Sequence, residues 1–223
     1  MNAIESRHDS KARLLDAALR IIRSKGYSAT RIEDVCEAAG LTKGSFFHHF
    51  KGKEDLALAA AGYFGAMAEA TFRAAPYQSA ADPLDRLLGY VDFRIAILQG
   101  SLPDFTCLLG TMVQETYDTH PAIRAACDTQ ISAHAAMVAQ DIAEAKRLYA
   151  PDAPWTAEGL ALYTQAVLQG AFVLAKARQG PQIAAECLEH LRRYLETQLP
   201  RAREPQPGPA GRKTPRTPSS TTR

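Results

Sequence analysis

The sequence predicts an all-α protein, a three-helix head followed by a six-helix body. Three observations carry this expectation. Apolar residues recur at intervals of three and four from residue 8 to residue 197, alternating strand patterns and Asn-Gly hairpin turns are missing, and glycines and prolines fall at intervals suited to helix ends. At 223 residues and 46% hydrophobic composition, the chain is long and apolar enough for a real core in one large domain or two small ones.

Composition narrows the classes of function. The N-terminal stretch "MNAIESRHDSKAR" is polar and lacks the apolar core of a secretion signal. The longest uncharged run, residues 159–175, contains Thr164, Gln165 and Gln169 and reads as a buried helix, not a membrane span. A cytoplasmic protein is expected. Cys36, Cys107, Cys127 and Cys187 are scattered without CxxC spacing, which fits reduced thiols, so neither a metal nor another cofactor is expected. Charge is unevenly spread: residues 1–60 carry a net +2, residues 61–199 a net −5 and residues 200–223 a net +5. An acidic body with basic ends is compatible with nucleic-acid contact at the N-terminal end.

The elements follow in order. Residues 9–25 place Leu14, Leu15, Ala18, Ile21 and Ile22 on one helical face, and Gly26 stops the helix. In "TRIEDVCEAAG", Thr30 and Glu33 have the spacing of a capping box, Ile32, Val35 and Cys36 form the apolar stripe, and Gly40 ends the helix. A short third helix is expected from Thr42, with Leu41 and Phe46 closing as a hydrophobic staple. Breakers then mark helices over 52–75, 83–99, 104–118, 121–149, 156–179 and 182–198. The remainder, residues 200–223, holds six of the 13 prolines and no large apolar residue, the composition of a disordered tail. The expected division is a DNA-binding head at 1–52, a body at 53–199 and the tail at 200–223.

The densest chemistry lies in "GLTKGSFFHHFKGKEDL". Two short helices joined by a glycine-containing turn and held by a longer first helix outline a helix-turn-helix. At about 100° per residue, Phe46 and Phe50 point the same way, inward, while Gly44 and His48 fall at the centre of the opposite face with Ser45 and Phe47 beside them. Gly44 costs about 1 kcal/mol against alanine inside a helix, and an aromatic ring and an imidazole face water. Such a face suits a helix pressed against another molecule. Gly44 permits close approach, Lys43 and the helix N-terminus attract phosphate, and Ser45, Phe47 and His48 reach bases and sugars. Adjacent histidines diverge by about 100°, so His48 and His49 are poorly placed to chelate one metal. For His49 two readings stay open, packing against the next helix or a phosphate contact.

The block "ATRIEDVCEAAGLTKGSFFHHFKGKEDL" resembles the DNA-binding head of the TetR family of bacterial transcription regulators. The resemblance implies a ligand-responsive repressor, not an enzyme, that binds a palindromic double-stranded DNA operator as a homodimer. It implies that Thr30, Arg31, Thr42, Lys43, Gly44, Ser45, Phe47, His48, His49 and Lys53 occupy DNA-facing positions. This chain has Phe47 where the family usually has tyrosine, so a phosphate hydrogen bond from a phenol is lost. It further implies that the last two helices pair with those of a second subunit, for which Leu160, Val167, Ala171, Leu174, Ile183, Cys187, Leu191 and Tyr194 are candidates. The middle helices would hold a small-molecule effector, with Phe93, Ile97, Cys107, Leu108, Met112, Tyr117, Met137, Tyr163 and Phe172 as candidate lining; that mix suggests a small apolar or aromatic effector. Two alternatives remain. "TCLLGTMVQETYDTHP" resembles a body segment of relatives that sense electrophiles through a cysteine, with Cys107 at that position, and an all-helical enzyme could use Cys107 or His134.

Overall fold

The computed structural model describes residues 3–201, with side chains from Asp9 onward. The described residues form ten α-helices and no strand. The head comprises α1 (Ala3–Lys25), α2 (Ile32–Ala39) and α3 (Lys43–His49), and α4 (Lys53–Arg73) leads out of it. A 3-10 turn at Pro76–Ser79 precedes α5 (Pro83–Ala96), α6 (Leu102–Phe105), α7 (Leu108–Thr116), α8 (Pro121–Tyr149), α9 (Ala157–Arg178) and α10 (Gln182–Gln198). The expected tail lies almost wholly outside the described residues.

Local chemistry accounts for the ends. Thr42 caps α3 by accepting the Ser45 amide at 3.2 Å. Asp82 accepts the Leu84 amide at 2.7 Å to start α5, and Thr156 accepts the Gly159 amide at 3.0 Å to start α9. Two expectations need correction. The cap of α2 is one residue later than the Thr30–Glu33 spacing suggests: Arg31 stands at the N-cap, and Asp34 reaches back to accept its amide at 2.9 Å. The segment 104–118 is not one helix. It breaks at Thr106 and Cys107, both extended, into α6 and α7. Ser101 starts α6 by donating its amide to Asp104 at 2.7 Å, and the body therefore holds seven helices from α4 onward.

Packing divides the apolar residues between two clusters. The first joins Leu14, Ala18 and Ile22 of α1 to Val35, Phe46, Phe50 and Leu56, and extends beyond the head to Leu108, Leu109 and Met112 of α7 and Ile123 and Cys127 of α8. The second joins Phe72 to α5, α8, α9 and α10 through residues such as Leu87, Val91, Ile142, Leu168 and Leu188. Head and body therefore share a core through α7, and burial of Leu108 and Met112 there stabilises the joint by roughly 1.5–3 kcal/mol per side chain. By length and composition alone α9 could cross a membrane, but nine of its side chains are buried in this fold, in line with the buried helix expected over 159–175.

Candidate nucleic-acid interface and the cavity behind it

The reading face rises from the packing of α3. Phe46 is fully buried and Phe50 nearly so, their rings 5.5 Å apart, which turns the other side of the helix outward. Thr42, Lys43, Gly44, Phe47 and His48 are exposed and Ser45 is half-buried. Phe47 leaves 55% of its surface in solvent. Arg31 is exposed at the start of α2, and Lys43 forms an ion pair with Glu33 that ties α2 to α3 and holds the Glu33 carboxyl below its ordinary range.

Three of the other sequence-predicted residues are engaged within the head. Thr30 is buried, with its hydroxyl donating to the Gly26 carbonyl at 2.6 Å, so its side chain does not reach the outer face; the correction follows from the shifted cap. His49 meets Ser10 of α1, Nε2 to Oγ at 2.7 Å. Lys53 donates to the Tyr27 and Ser28 carbonyls, both at 3.2 Å, and its ammonium lies 4.4 Å from the centre of the Tyr27 ring. It fastens the turn that aims α2.

That turn is also held from the body. The Glu115 carboxylate of α7 accepts the Tyr27 amide at 3.1 Å and the Ser28 amide at 2.8 Å. Gly26, just before them, has φ +87°, and a Cβ there would fall 2.1 Å from Glu115 Oε1. Arg23 of α1 donates through Nη1 to the carbonyls of Asp104 and Thr106, each at 3.3 Å. Burial pushes the Arg23 guanidinium down from its ordinary value, partly offset by Asp104 and Cys107. The segment spanning α6 and the start of α7 is thus bonded to the head on one side.

On its other side that segment lines a cavity of about 650 Å³. Phe105, Thr106, Cys107 and Leu109 face it together with Phe64 and Gly65 of α4, Arg94 of α5, Gln130, His134 and Met137 of α8, and Gln165, Gln169 and Phe172 of α9. Of the nine residues expected to line it, Cys107, Met137 and Phe172 do so. Leu108 and Met112 belong to the head core, Tyr117 and Tyr163 are exposed, and Phe93 and Ile97 pack against the body core. Sequence reasoning overlooked the polar lining: glutamines on helix surfaces look like solvated positions, and only their i, i+4 spacing on α9 (Gln165, Gln169) hinted at a common face. His134 on α8 is strongly perturbed. Burial, and secondarily the charge of Arg94, lower its pKa to about 3, so its imidazole is neutral at physiological pH. Cys107 starts α7, its Sγ accepting the Gly110 amide at 3.5 Å.

The candidate subunit interface also needs correction. Leu160, Ala171 and Leu191 are buried in the protomer's own core, and Val167, Ile183 and Cys187 are half-buried. Leu174 and Tyr194 are exposed, in company with Leu162, Tyr163 and Val173. The Tyr163 and Tyr194 rings lie 5.0 Å apart on this outer face of α9 and α10.

Comparison with known proteins agrees with this architecture. Residues 14–60 match the model of the bacterial regulatory proteins of the tetR family, and residues 83–192 match the C-terminal domain of LmrA/YxaF-like transcriptional regulators. Among curated relatives, the Bacillus subtilis HTH-type transcriptional regulator YerO is 37% identical over 57 residues, 26% of this chain and 20% of that protein. YxaF of the same organism, also described as an HTH-type transcriptional regulator, is 35% identical over 83 residues, 37% of this chain and 43% of that protein. The chain thus matches less than half the length of either relative. A TetR transcriptional regulator structure from Chloroflexus aurantiacus superposes with a TM-score of 0.76 at 24% identity, covering 87% of this chain and 98% of that one, and so shares the fold. With the head and most of the body each matching its own family model, the chain belongs to the TetR family of bacterial regulatory proteins.

Proposed function

We propose that the protein is a dimeric transcriptional repressor of the cytoplasm, with a head at 1–52 that reads a palindromic operator and a body at 53–199 that binds an effector and dimerises. The observation that supports this best is the outer face of α3, where Gly44, Phe47 and His48 lie exposed on a helix whose opposite side is fully packed. Nothing in the fold requires an aromatic ring and an imidazole there, whereas major-groove contact uses both. Arg31, Lys43 and the α3 N-terminus supply the phosphate contacts that set its register. The apolar outer strip of α9 and α10 supports pairing with a second copy, which would present two α3 helices to successive half-sites. Release follows from the cavity: α6 and α7 are its wall and also carry the bonds to α1 and its following turn, so an effector that prefers one position of that wall shifts the heads.

Fluorescence-anisotropy titration against DNA from upstream of its own gene tests this reading. Specific binding that weakens with salt is expected, and His48→Ala should weaken it about tenfold or more, at roughly 1–3 kcal/mol for a base contact. Affinity equal to that for random DNA, unchanged by His48→Ala, would contradict it.

A further inference from the structure

Among the described residues, the cavity lining holds one cation, Arg94, that forms no ion pair. Arg94 lies over the Phe72 ring at 4.2 Å, donates through Nε to the Tyr90 hydroxyl at 3.2 Å and bonds through Nη2 to His134 Nε2 at 3.0 Å. A guanidinium can only donate, so His134 Nε2 is the acceptor and the imidazole proton sits on Nδ1. The Tyr90 hydroxyl, 2.9 Å from the same nitrogen, donates to it as well. Every group that holds Arg94 is therefore neutral. Its Nη1 makes no hydrogen bond among the described residues, and no carboxylate there lies within ion-pair distance of it.

Elsewhere on the same helix the pattern differs. Arg86, two turns earlier on α5, faces α8 and is paired with Asp141 and Glu144. At the corresponding place beside Arg94, α8 presents His134, whose burial keeps it uncharged. The other two charged lining residues, Glu69 and Arg73, pair with each other and are mostly solvated. A half-buried guanidinium at a cavity wall, with no carboxylate beside it among the described residues, is placed to receive an anion from a bound ligand.

We infer that the cavity takes an aromatic carboxylate, whose anion accepts hydrogen bonds from Arg94 and whose ring lies among Phe64, Phe105 and Phe172. A phosphate dianion would want several convergent cations, and one guanidinium matches a single carboxylate. The volume suits a ligand of drug-like size. This rests on reading the cavity as the effector site.

Calorimetric titration of the full chain with biphenyl-4-carboxylate and with biphenyl-4-carboxamide tests the assignment. The wild type should bind the carboxylate about tenfold or more tightly than the amide, the scale of one hydrogen bond to a charged group. Arg94→Gln should abolish that preference while leaving amide binding little changed, and Arg94→Lys should retain part of it. Met137→Trp, which fills the cavity, should remove binding of both. Equal wild-type affinities that Met137→Trp abolishes would overturn the carboxylate and leave the effector site standing. If neither probe binds at about 1 mM, or if binding is indifferent to Met137→Trp, both readings fall.

Discussion

At the scale of single residues, the informative groups are those whose surroundings contradict their chemistry. Phe47 is an apolar ring in water, and it was legible from helical spacing alone because Phe46 and Phe50 had to point inward. His134 is the converse, an ionisable ring held neutral. Its unfolded pKa is about 6.5 and its folded value about 3, so below pH 6.5 the unfolded chain binds the extra proton and folding weakens as pH falls. The slope from this group is at most about 1.4 kcal/mol per pH unit. It should appear between pH 6.5 and 5, above the range where Asp34, Asp82 and Asp104, all held below the usual carboxylate value by hydrogen bonds, begin to protonate. Urea midpoints of wild type and His134→Gln across that window check it. The variant should have the flatter profile; parallel profiles would mean that burial of His134 is not what destabilises the protein in mild acid.

At the scale of elements, α7 does most to connect the parts. Its inner face completes the head core with Leu108 and Met112, its first turn borders the cavity, and Glu115 in its last turn holds the amides following Gly26. Replacing Glu115 by Ala leaves the Tyr27 amide without its partner, a loss of about 1–3 kcal/mol. Hydrogen exchange at Tyr27 should accelerate, and an effector that releases DNA from wild type should do so less completely, because the turn no longer follows α7. Unchanged exchange at Tyr27 would show that Lys53 alone secures the turn. The sequence announced most element ends through glycines, prolines and caps, but it could not announce this joint. Periodicity shows that Leu108 and Met112 face a core without saying which of two cores, so from sequence alone both are equally compatible with the effector pocket. The break at Thr106–Cys107 was likewise hidden, since neither residue is a helix breaker; tertiary contacts such as Arg23 with the Asp104 and Thr106 carbonyls stabilise it. The glutamine lining was missed for a similar reason: an amide facing a polar cavity and an amide facing bulk water have the same pattern in one dimension.

At the scale of the whole molecule, the exposed side of α9 is the place where the proposed pairing with a second copy can be tested. The helix is apolar on nearly all sides, so composition alone would suit a membrane span. One side buries Leu168, Phe172 and Ala175 in the protomer, while Leu162, Tyr163, Val173 and Leu174 stand exposed beside Tyr194. Gly170 lies between them, with nothing within 4 Å of where its Cβ would be, so another helix can approach closely there. A contiguous strip of this kind is characteristic of an interface, and a stable one buries about 1,200–2,000 Å² in total. The buried candidates Leu160 and Ala171 of α9 and Leu191 of α10 share the three-and-four spacing of the exposed residues, and only the packed structure separates the two sides of each helix. Leu162→Glu combined with Val173→Glu would place two carboxylates in the strip of each subunit, opposite two more in the partner. Multi-angle light scattering at micromolar concentration should then report a monomer where wild type is a dimer, with the helical circular dichroism retained because neither side chain belongs to the protomer core. Operator affinity should fall together with dimerisation, since each head alone reads only a half-site. A variant that remains dimeric would place the subunit contact on another face; one that becomes monomeric yet binds the full operator with wild-type affinity would mean that pairing is not what sets the spacing of the two heads.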